Sequence, residues 1–134
     1  MKIAMLEDRA GFAKDLTTVI KEIEGSASVD YYQYVDEAIK ALEEGKAYDV
    51  WVVDLMMPSG DKFTSEATEN GSATGTRFLE YLSSSGAAVS KGIVVMTSRD
   101  TAPDEMARIT YPIRECFKAE STHAEIAGEI LNWN

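Results

Sequence analysis

The chain has few of the residues that build disulfides, multi-histidine metal sites and rigid turns. Of its 134 residues, one is cysteine, one is histidine and three are proline. Because Cys116 is alone, an internal disulfide is excluded, and its place inside an apolar run favours a buried, unreactive thiol. Because His123 is alone, a site built from several histidines is excluded and Ser-His-Asp catalysis is disfavoured.

Basic residues are also scarce. The 13 lysines and arginines face 23 acidic residues, which gives a formal net charge of −10. This charge argues against direct binding of nucleic acid or an anionic membrane. It is compatible with a basic protein partner, with a bound cation, or with a role in solubility alone.

Long apolar segments are missing. No run approaches the roughly 20 residues that a membrane-spanning helix needs. Glu7 and Asp8 come too early for a secretory signal peptide. We therefore expect a cytoplasmic protein that does not bind membranes.

What the sequence does contain is a regular alternation of strand and helix patterns within one domain, residues 1–134. The predicted strands are Lys2–Leu6, Ser28–Tyr34, Tyr48–Val53, Gly92–Met96 and Ile113–Phe117. Helical spacing of apolar residues follows each strand, in the regions Phe12–Ile23, Val35–Leu42, Arg77–Ser84, Pro103–Ile109 and after Thr122. Near-continuous apolar strands that alternate with helices predict a doubly wound parallel sheet with helices on both faces.

One segment, Ser59–Thr76, interrupts this scheme between the third strand and the third helix. It is rich in Ser, Thr and Gly and has little apolar periodicity. Connections of this length in a small domain are usually functional or disordered. We predict an inserted loop, which acts as a lid, binds a partner or is neutral.

Polar groups stand at the ends of four of the apolar strands. They are Glu7-Asp8, Asp54, Thr97-Ser98 and Lys118. If the strands are parallel, these groups meet at the carboxyl edge of the sheet, where open α/β sheets bind ligands. Each group has a structural explanation when taken alone, and Asp8 either caps the first helix or binds a metal. The coincidence of all four favours a site.

The chemistry of that site follows from its charges. Two carboxylates about 4 Å apart repel by roughly 4 kcal/mol at an effective dielectric near 20, which a proton or a cation must relieve. Carboxylates and water suit Mg²⁺. Lys118 and Thr97 would add an ammonium and a hydroxyl for a phosphoryl group. The set suits a carboxylate nucleophile that forms an aspartyl-phosphate.

At these residues the chain resembles the receiver domain of two-component response regulators, over nearly its whole length from Lys2 to Trp133. The matching motifs are Met5-Leu6-Glu7-Asp8, Val52-Val53-Asp54-Leu55-Met56-Met57-Pro58, Met96-Thr97-Ser98 and Lys118. The resemblance implies the flavodoxin-like (CheY-like) fold with strand order 2-1-3-4-5.

The resemblance also implies roles for individual residues. Asp54 would accept a phosphoryl group from a phosphohistidine on a histidine kinase or histidine phosphotransfer protein. Mg²⁺ would be held by Glu7, Asp8, Asp54 and the backbone carbonyl of Met56. Thr97 and Lys118 would bind the phosphoryl oxygens. The chain would not be an enzyme, apart from self-catalysed phosphorylation and dephosphorylation of its own aspartate.

Phosphorylation would then shift the protein between two conformations, which differ in the face formed by the fourth helix, fifth strand and fifth helix. That face would bind a downstream protein target, and it is also a candidate homodimer surface. No direct contact with nucleic acid is expected.

Three features depart from the family's pattern. Glu115 stands where an aromatic switch residue is usual. Phe117 or Tyr111 is a candidate to take the place of that aromatic residue. Ala119 stands where proline usually follows the lysine. The connection from the phospho-acceptor to the third helix is much longer than the family's, and Gly75 resembles the glycine that normally precedes that helix, displaced by the inserted residues. These departures leave open a pseudo-receiver, a binding module of the same fold without phosphoryl chemistry.

Residues that flank the site bear on its kinetics. Met56, Ser98 and Arg99 border the site, and the resemblance places Met56 and Arg99 beside the path of the attacking water. A bulky apolar group and a cation there predict slow self-dephosphorylation. An aspartate-dependent phosphohydrolase would be expected to have a second acid where Met56 stands, so this activity is disfavoured. A flavin carrier is also disfavoured, because Glu7-Asp8 after the first strand would repel the phosphate of the cofactor.

Overall fold

The computed structural model describes residues 1–58, 60, 73–97 and 109–133. Its centre is a five-stranded, fully parallel sheet in the order β2-β1-β3-β4-β5. The strands are β1 (Lys2–Leu6), β2 (Ser28–Tyr32), β3 (Tyr48–Asp54), β4 (Val89–Thr97) and β5 (Ile113–Phe117). This confirms the predicted doubly wound, flavodoxin-like sheet.

Four helices lie in the described part of the chain. They are α1 (Ala10–Ile23), α2 (Val35–Glu43), α3 (Thr74–Ser84) and a C-terminal helix (His123–Leu131). The predicted helix Pro103–Ile109 lies outside the described residues except for its last position, Ile109, which is buried and not helical. None of the described helices has both the length and the apolar character to cross a membrane.

The apolar strands separate two hydrophobic layers. Leu6, Trp51 and Val53 pack on one face of the sheet, with α2 and α3. Met5 and Val52 pack on the opposite face, with α1 and the C-terminal helix. Because successive residues of one strand serve both layers, the strands read as continuous apolar runs rather than as alternating patterns.

Two strands extend one residue beyond the prediction, β3 to Asp54 and β4 to Thr97. Two other boundaries differ by more, for reasons outside the local sequence pattern. β2 ends at Tyr32, two residues early, because Tyr34 begins the capping box of α2, and its backbone N–H donates to Glu37. β4 begins at Val89, three residues early, because Val89 pairs with Tyr48 in β3. Neither interaction is visible in the local periodicity.

The start of α3 corrects the predicted loop 59–76. The helix begins at Thr74 rather than Arg77, so residues 74–76 are not loop. The Thr74 hydroxyl donates to the carbonyl of Met57 at 2.6 Å, and the Gly75 N–H donates to the carbonyl of Leu55 at 3.0 Å. These bonds tie the two ends of the insertion together directly behind Asp54. Gly75 lies within the first turn rather than before the helix.

A side chain at Gly75 would not fit. A Cβ atom there would lie 2.4 Å from the carbonyl oxygen of Asp54 and 2.5 Å from the Cα of Leu55. Real Cβ atoms do not approach backbone so closely. The glycine therefore allows α3 to pack against the backbone that carries Asp54.

Candidate functional site

The candidate site forms where β1 and β3, neighbours in the sheet, both end in acid. Leu6 pairs with Val53, so the next residues, Glu7 and Asp54, emerge side by side. One carboxylate oxygen from each of Glu7, Asp8 and Asp54 lies within 4.8 Å of the other two. The three acids that the sequence placed at the carboxyl edge are thus brought together.

Lys118 enters this group from the end of β5. Its ammonium lies 2.7 and 3.0 Å from the two carboxylate oxygens of Glu7 and 3.1 Å from Oδ2 of Asp54. The same ammonium stands 4.6 Å from the ring centroid of Phe12, on α1. One cation therefore bridges two acids from two other strands, although 111 residues separate Lys118 from Glu7 in sequence.

Glu7 is fully buried and held by groups that sequence reasoning did not identify. The Arg9 backbone N–H donates to its Oε1 at 3.2 Å, and the Tyr31 hydroxyl donates to its backbone carbonyl at 2.7 Å. Nearby, the Gln33 amide donates to the carbonyl of Asp8 at 3.2 Å. Tyr31 could have been found from strand order, because β2 lies beside β1 and its end reaches the same edge.

The electrostatics of the site centre on Asp54. Burial and the neighbouring Glu7 carboxylate raise its pKa to about 7, although the Lys118 ammonium and the Met56 N–H act in the opposite direction. The Met56 N–H donates to Oδ1 of Asp54 at 3.1 Å. The single lysine therefore does not fully offset the gathered negative charge. This is the situation that a bound cation relieves.

The group opens into a pocket of about 480 Å³. Its lining comprises Asp8, Arg9, Phe12, Asp54, Met56, Lys118 and Ala119. Asp54 itself is only 4% exposed, so its carboxylate lies at the inner end of this space. The pocket gives a small ligand access to an otherwise buried carboxylate.

The other residues predicted for the site lie around this acidic group, on exposed surface or outside the described residues. Thr97 is buried at the end of β4, and its carbonyl accepts the N–H of Lys118 at 2.9 Å. Met56 lines the pocket and is 38% exposed. Glu115 is exposed on β5. Ser98 and Arg99 lie outside the described residues.

The two aromatic residues considered as substitutes at the switch position are both partly buried. Phe117 is the last residue of β5, next to Lys118. The Tyr111 hydroxyl donates to the carbonyl of Ala87 at 2.5 Å, which ties it to the turn before β4.

The donor set fits a hard divalent cation. Oxygens that share one Mg²⁺ at about 2.1 Å lie roughly 3 to 4 Å apart, so the 4.8 Å spread needs only a small contraction. Asp8 is partly exposed, and the pocket leaves room for water ligands. Lys118 already engages both oxygens of Glu7, so a cation would approach from the pocket side, through Asp8 and Asp54.

Comparison with known proteins identifies the fold. No protein-family model matches the sequence, and no curated protein matches it. Solved structures do match. The receiver domain of the Francisella response regulator 1452 is 17% identical, with a TM-score of 0.68 over 96% of this chain and 92% of that one.

Two further receiver domains give similar values. The CheY-like receiver domain protein of Methanospirillum hungatei is 11% identical, with a TM-score of 0.70 over 96% of this chain and 89% of that one. The signal receiver domain of a DNA-binding response regulator of Colwellia psychrerythraea is 21% identical, with a TM-score of 0.65 over 89% and 86%. The chain therefore has the receiver-domain fold.

Proposed function

We propose that the chain is a phosphorylatable receiver, in which Asp54 accepts a phosphoryl group. The observation that carries the proposal is the placement of Asp54 at the inner end of a pocket, 3.1 Å from the Lys118 ammonium and beside Glu7 and Asp8. The receiver fold is compatible with this function, and the residues of the site supply the chemistry.

The reaction needs few protein groups. A carboxylate oxygen of Asp54 attacks the phosphorus of the donor, and the bond from phosphorus to the leaving group breaks. Lys118 holds an oxygen of the transferring group, which requires it to loosen one of its bonds to Glu7. Buried Thr97 supplies a hydroxyl at the neighbouring strand end.

Mg²⁺, held by Glu7, Asp8, Asp54 and the carbonyl of Met56, would neutralise charge on the phosphoryl oxygens. Phosphoryl donors would be a histidine kinase or a histidine phosphotransfer protein. Occupation of the site would shift a protein-binding face for a downstream target. The chain would act as a switch rather than as an enzyme on other substrates, in keeping with a two-component phosphorelay.

One observation favours the alternative of a pseudo-receiver. Lys118 makes two short bonds to fully buried Glu7, so the ammonium is already paired without any phosphoryl group. A pocket stabilised in this way could serve only the fold. Exposed Glu115 in place of an aromatic residue agrees with this alternative.

The test is intact mass after incubation with Mg²⁺ and a small phosphoryl donor. We expect the native protein to gain the mass of one phosphoryl group and the Asp54→Asn variant to gain none. Asp49→Asn, five residues earlier in the same strand, is the matched control and should be phosphorylated normally. A native protein that gains no mass would favour the pseudo-receiver.

A further inference from the structure

Two side chains at the end of β2 hold the backbone of the acid pair Glu7-Asp8. The Tyr31 hydroxyl donates to the carbonyl of Glu7 at 2.7 Å, and the Gln33 side-chain amide donates to the carbonyl of Asp8 at 3.2 Å. A third bond runs from the Glu7 N–H to the carbonyl of Tyr32 at 3.1 Å. Two consecutive carbonyls and one N–H of the acid pair are therefore tied to the end of the neighbouring strand. We refer to Tyr31 and Gln33 as the clamp.

The acid pair needs such support because it lies between two regular elements. β1 ends at Leu6 and α1 begins at Ala10, so Glu7 and Asp8 belong to the short link between them. Ordering a link of this kind costs conformational entropy, which hydrogen bonds to a rigid neighbour offset. Both acids contribute to the candidate cation site, with one carboxylate oxygen each within 4.8 Å of one from Asp54. The clamp therefore fixes the backbone that carries two of the three carboxylates.

The clamp is itself anchored in rigid elements. Tyr31 belongs to β2, which pairs with β1 over its whole length, as far as Tyr32 opposite Leu6. Gln33 is held by α2, because its backbone N–H donates at 3.2 Å to the carboxylate of Glu37, in the first turn of that helix. The acid pair is thus positioned by β2 and α2, and neither element supplies one of the three carboxylates.

Rigid placement matters more for Mg²⁺ than for a larger cation. Mg²⁺ requires nearly ideal octahedral geometry, whereas Ca²⁺ accepts a larger and more flexible set of oxygens. Groups that hold metal ligands from behind also contribute to affinity, and their loss weakens binding by roughly 10- to 100-fold. Both oxygens of Glu7 are already engaged by Lys118. A cation therefore depends strongly on Asp8, whose backbone Gln33 holds.

We infer that Tyr31 and Gln33 are positioning residues that give the site a preference for Mg²⁺ over Ca²⁺. The inference rests on the proposed function, in which the three carboxylates hold the cation. Neither clamp side chain is a ligand, and each acts through a backbone carbonyl of the acid pair. With the clamp intact, the two acids present their oxygens in one arrangement, which favours the ion with the stricter geometry. Without it, the link between β1 and α1 adapts to either ion and the preference falls.

The experiment is calorimetric titration of chelator-treated protein with Mg²⁺ and, separately, with Ca²⁺, for the native chain, Tyr31→Phe, Gln33→Met and Tyr111→Phe. Tyr31→Phe removes only the hydroxyl that holds the Glu7 carbonyl. Tyr111→Phe is the matched control, because the Tyr111 hydroxyl also donates to a backbone carbonyl, that of Ala87, outside the pocket. We expect Tyr31→Phe to weaken Mg²⁺ binding about tenfold and Ca²⁺ binding about twofold, which lowers the ratio of the two affinities about fivefold.

Gln33→Met should lower the ratio in the same direction, and Tyr111→Phe should leave it at the native value. A clamp that served stability alone would lower the melting temperatures of Tyr31→Phe and Tyr111→Phe alike without changing the ratio. An unchanged ratio in Tyr31→Phe, or a native protein that does not prefer Mg²⁺, would overturn the inference and leave phosphorylation of Asp54, which intact mass measures separately, untouched. Native protein that binds neither ion would overturn both the inference and the Mg²⁺ site of the proposed function.

Discussion

Replacing Asp54 with asparagine should stabilise the protein in the absence of divalent cations. Burial and Glu7 raise the pKa of Asp54 from 3.8 to about 7, so the ionised carboxylate is disfavoured in the folded state. A shift of about three units corresponds to roughly 4 kcal/mol at 1.36 kcal/mol per unit. Allowing for relaxation around the carboxylate, we expect a gain of about 2 kcal/mol, or roughly 6 °C in Tm.

The pH dependence of this gain in stability follows from the linkage between proton binding and folding. Because the folded-state pKa of Asp54 lies above the unfolded one, the folded protein binds the additional proton between pH 4 and pH 7, as those two pKa values require. The stability that this proton provides is present below about pH 4 and is lost as pH rises through about 7. The advantage of Asp54→Asn should therefore be full at pH 8 and small near pH 4.

The assay is thermal unfolding of native protein and variant in a chelating buffer at pH 8 and at pH 5. Asp49→Asn is the control with the opposite sign, because accepted bonds from the Lys2 N–H and the Ser90 hydroxyl lower the pKa of Asp49. This variant should be slightly less stable than the native protein. An Asp54→Asn variant that melts at or below the native temperature at pH 8 would refute the reasoning.

Three further predictions concern packing and reactivity. Gly75→Ala should lower the free energy of unfolding in urea by about 3 kcal/mol because its Cβ would meet backbone. Gly11→Ala, with open space around its Cβ, should raise that free energy by about 0.5 kcal/mol, and equal effects of the two changes would contradict the packing. Met56→Ala should speed loss of phosphate from the phosphoprotein severalfold by admitting water, measured by the decay of intact mass; an unchanged rate would exclude Met56 as a shield. Burial raises the pKa of Cys116, so a thiol reagent should label it only after unfolding, and rapid labelling of the folded protein would be evidence against this.

The sheet and its acidic edge could be predicted because their signals are local. Apolar runs define the strands, and the residue that follows each run is fixed at the carboxyl edge once the strands are parallel. Asp54 and Lys118 were found in this way, although 64 residues separate them. Strand order then determines that they meet.

The parts that could not be predicted depend on contacts between distant segments. The start of α3 is set by the bond from Thr74 to Met57 and by the close approach of Gly75 to Asp54, neither of which leaves a periodic signal. The roles of Arg9 and Tyr31 around Glu7 likewise depend on cap geometry and on the neighbouring strand. Sequence periodicity carries no information on either.

Titration calorimetry with Mg²⁺ tests most directly whether Glu7, Asp8 and Asp54 form one cation-binding pocket. Chelator-treated native protein should bind one Mg²⁺, and Asp8→Asn, which removes the most accessible of the three carboxylates, should bind markedly more weakly. Asp49→Asn should bind as the native protein does. Absence of heat from native protein, or equal affinity in Asp8→Asn, would contradict the shared site.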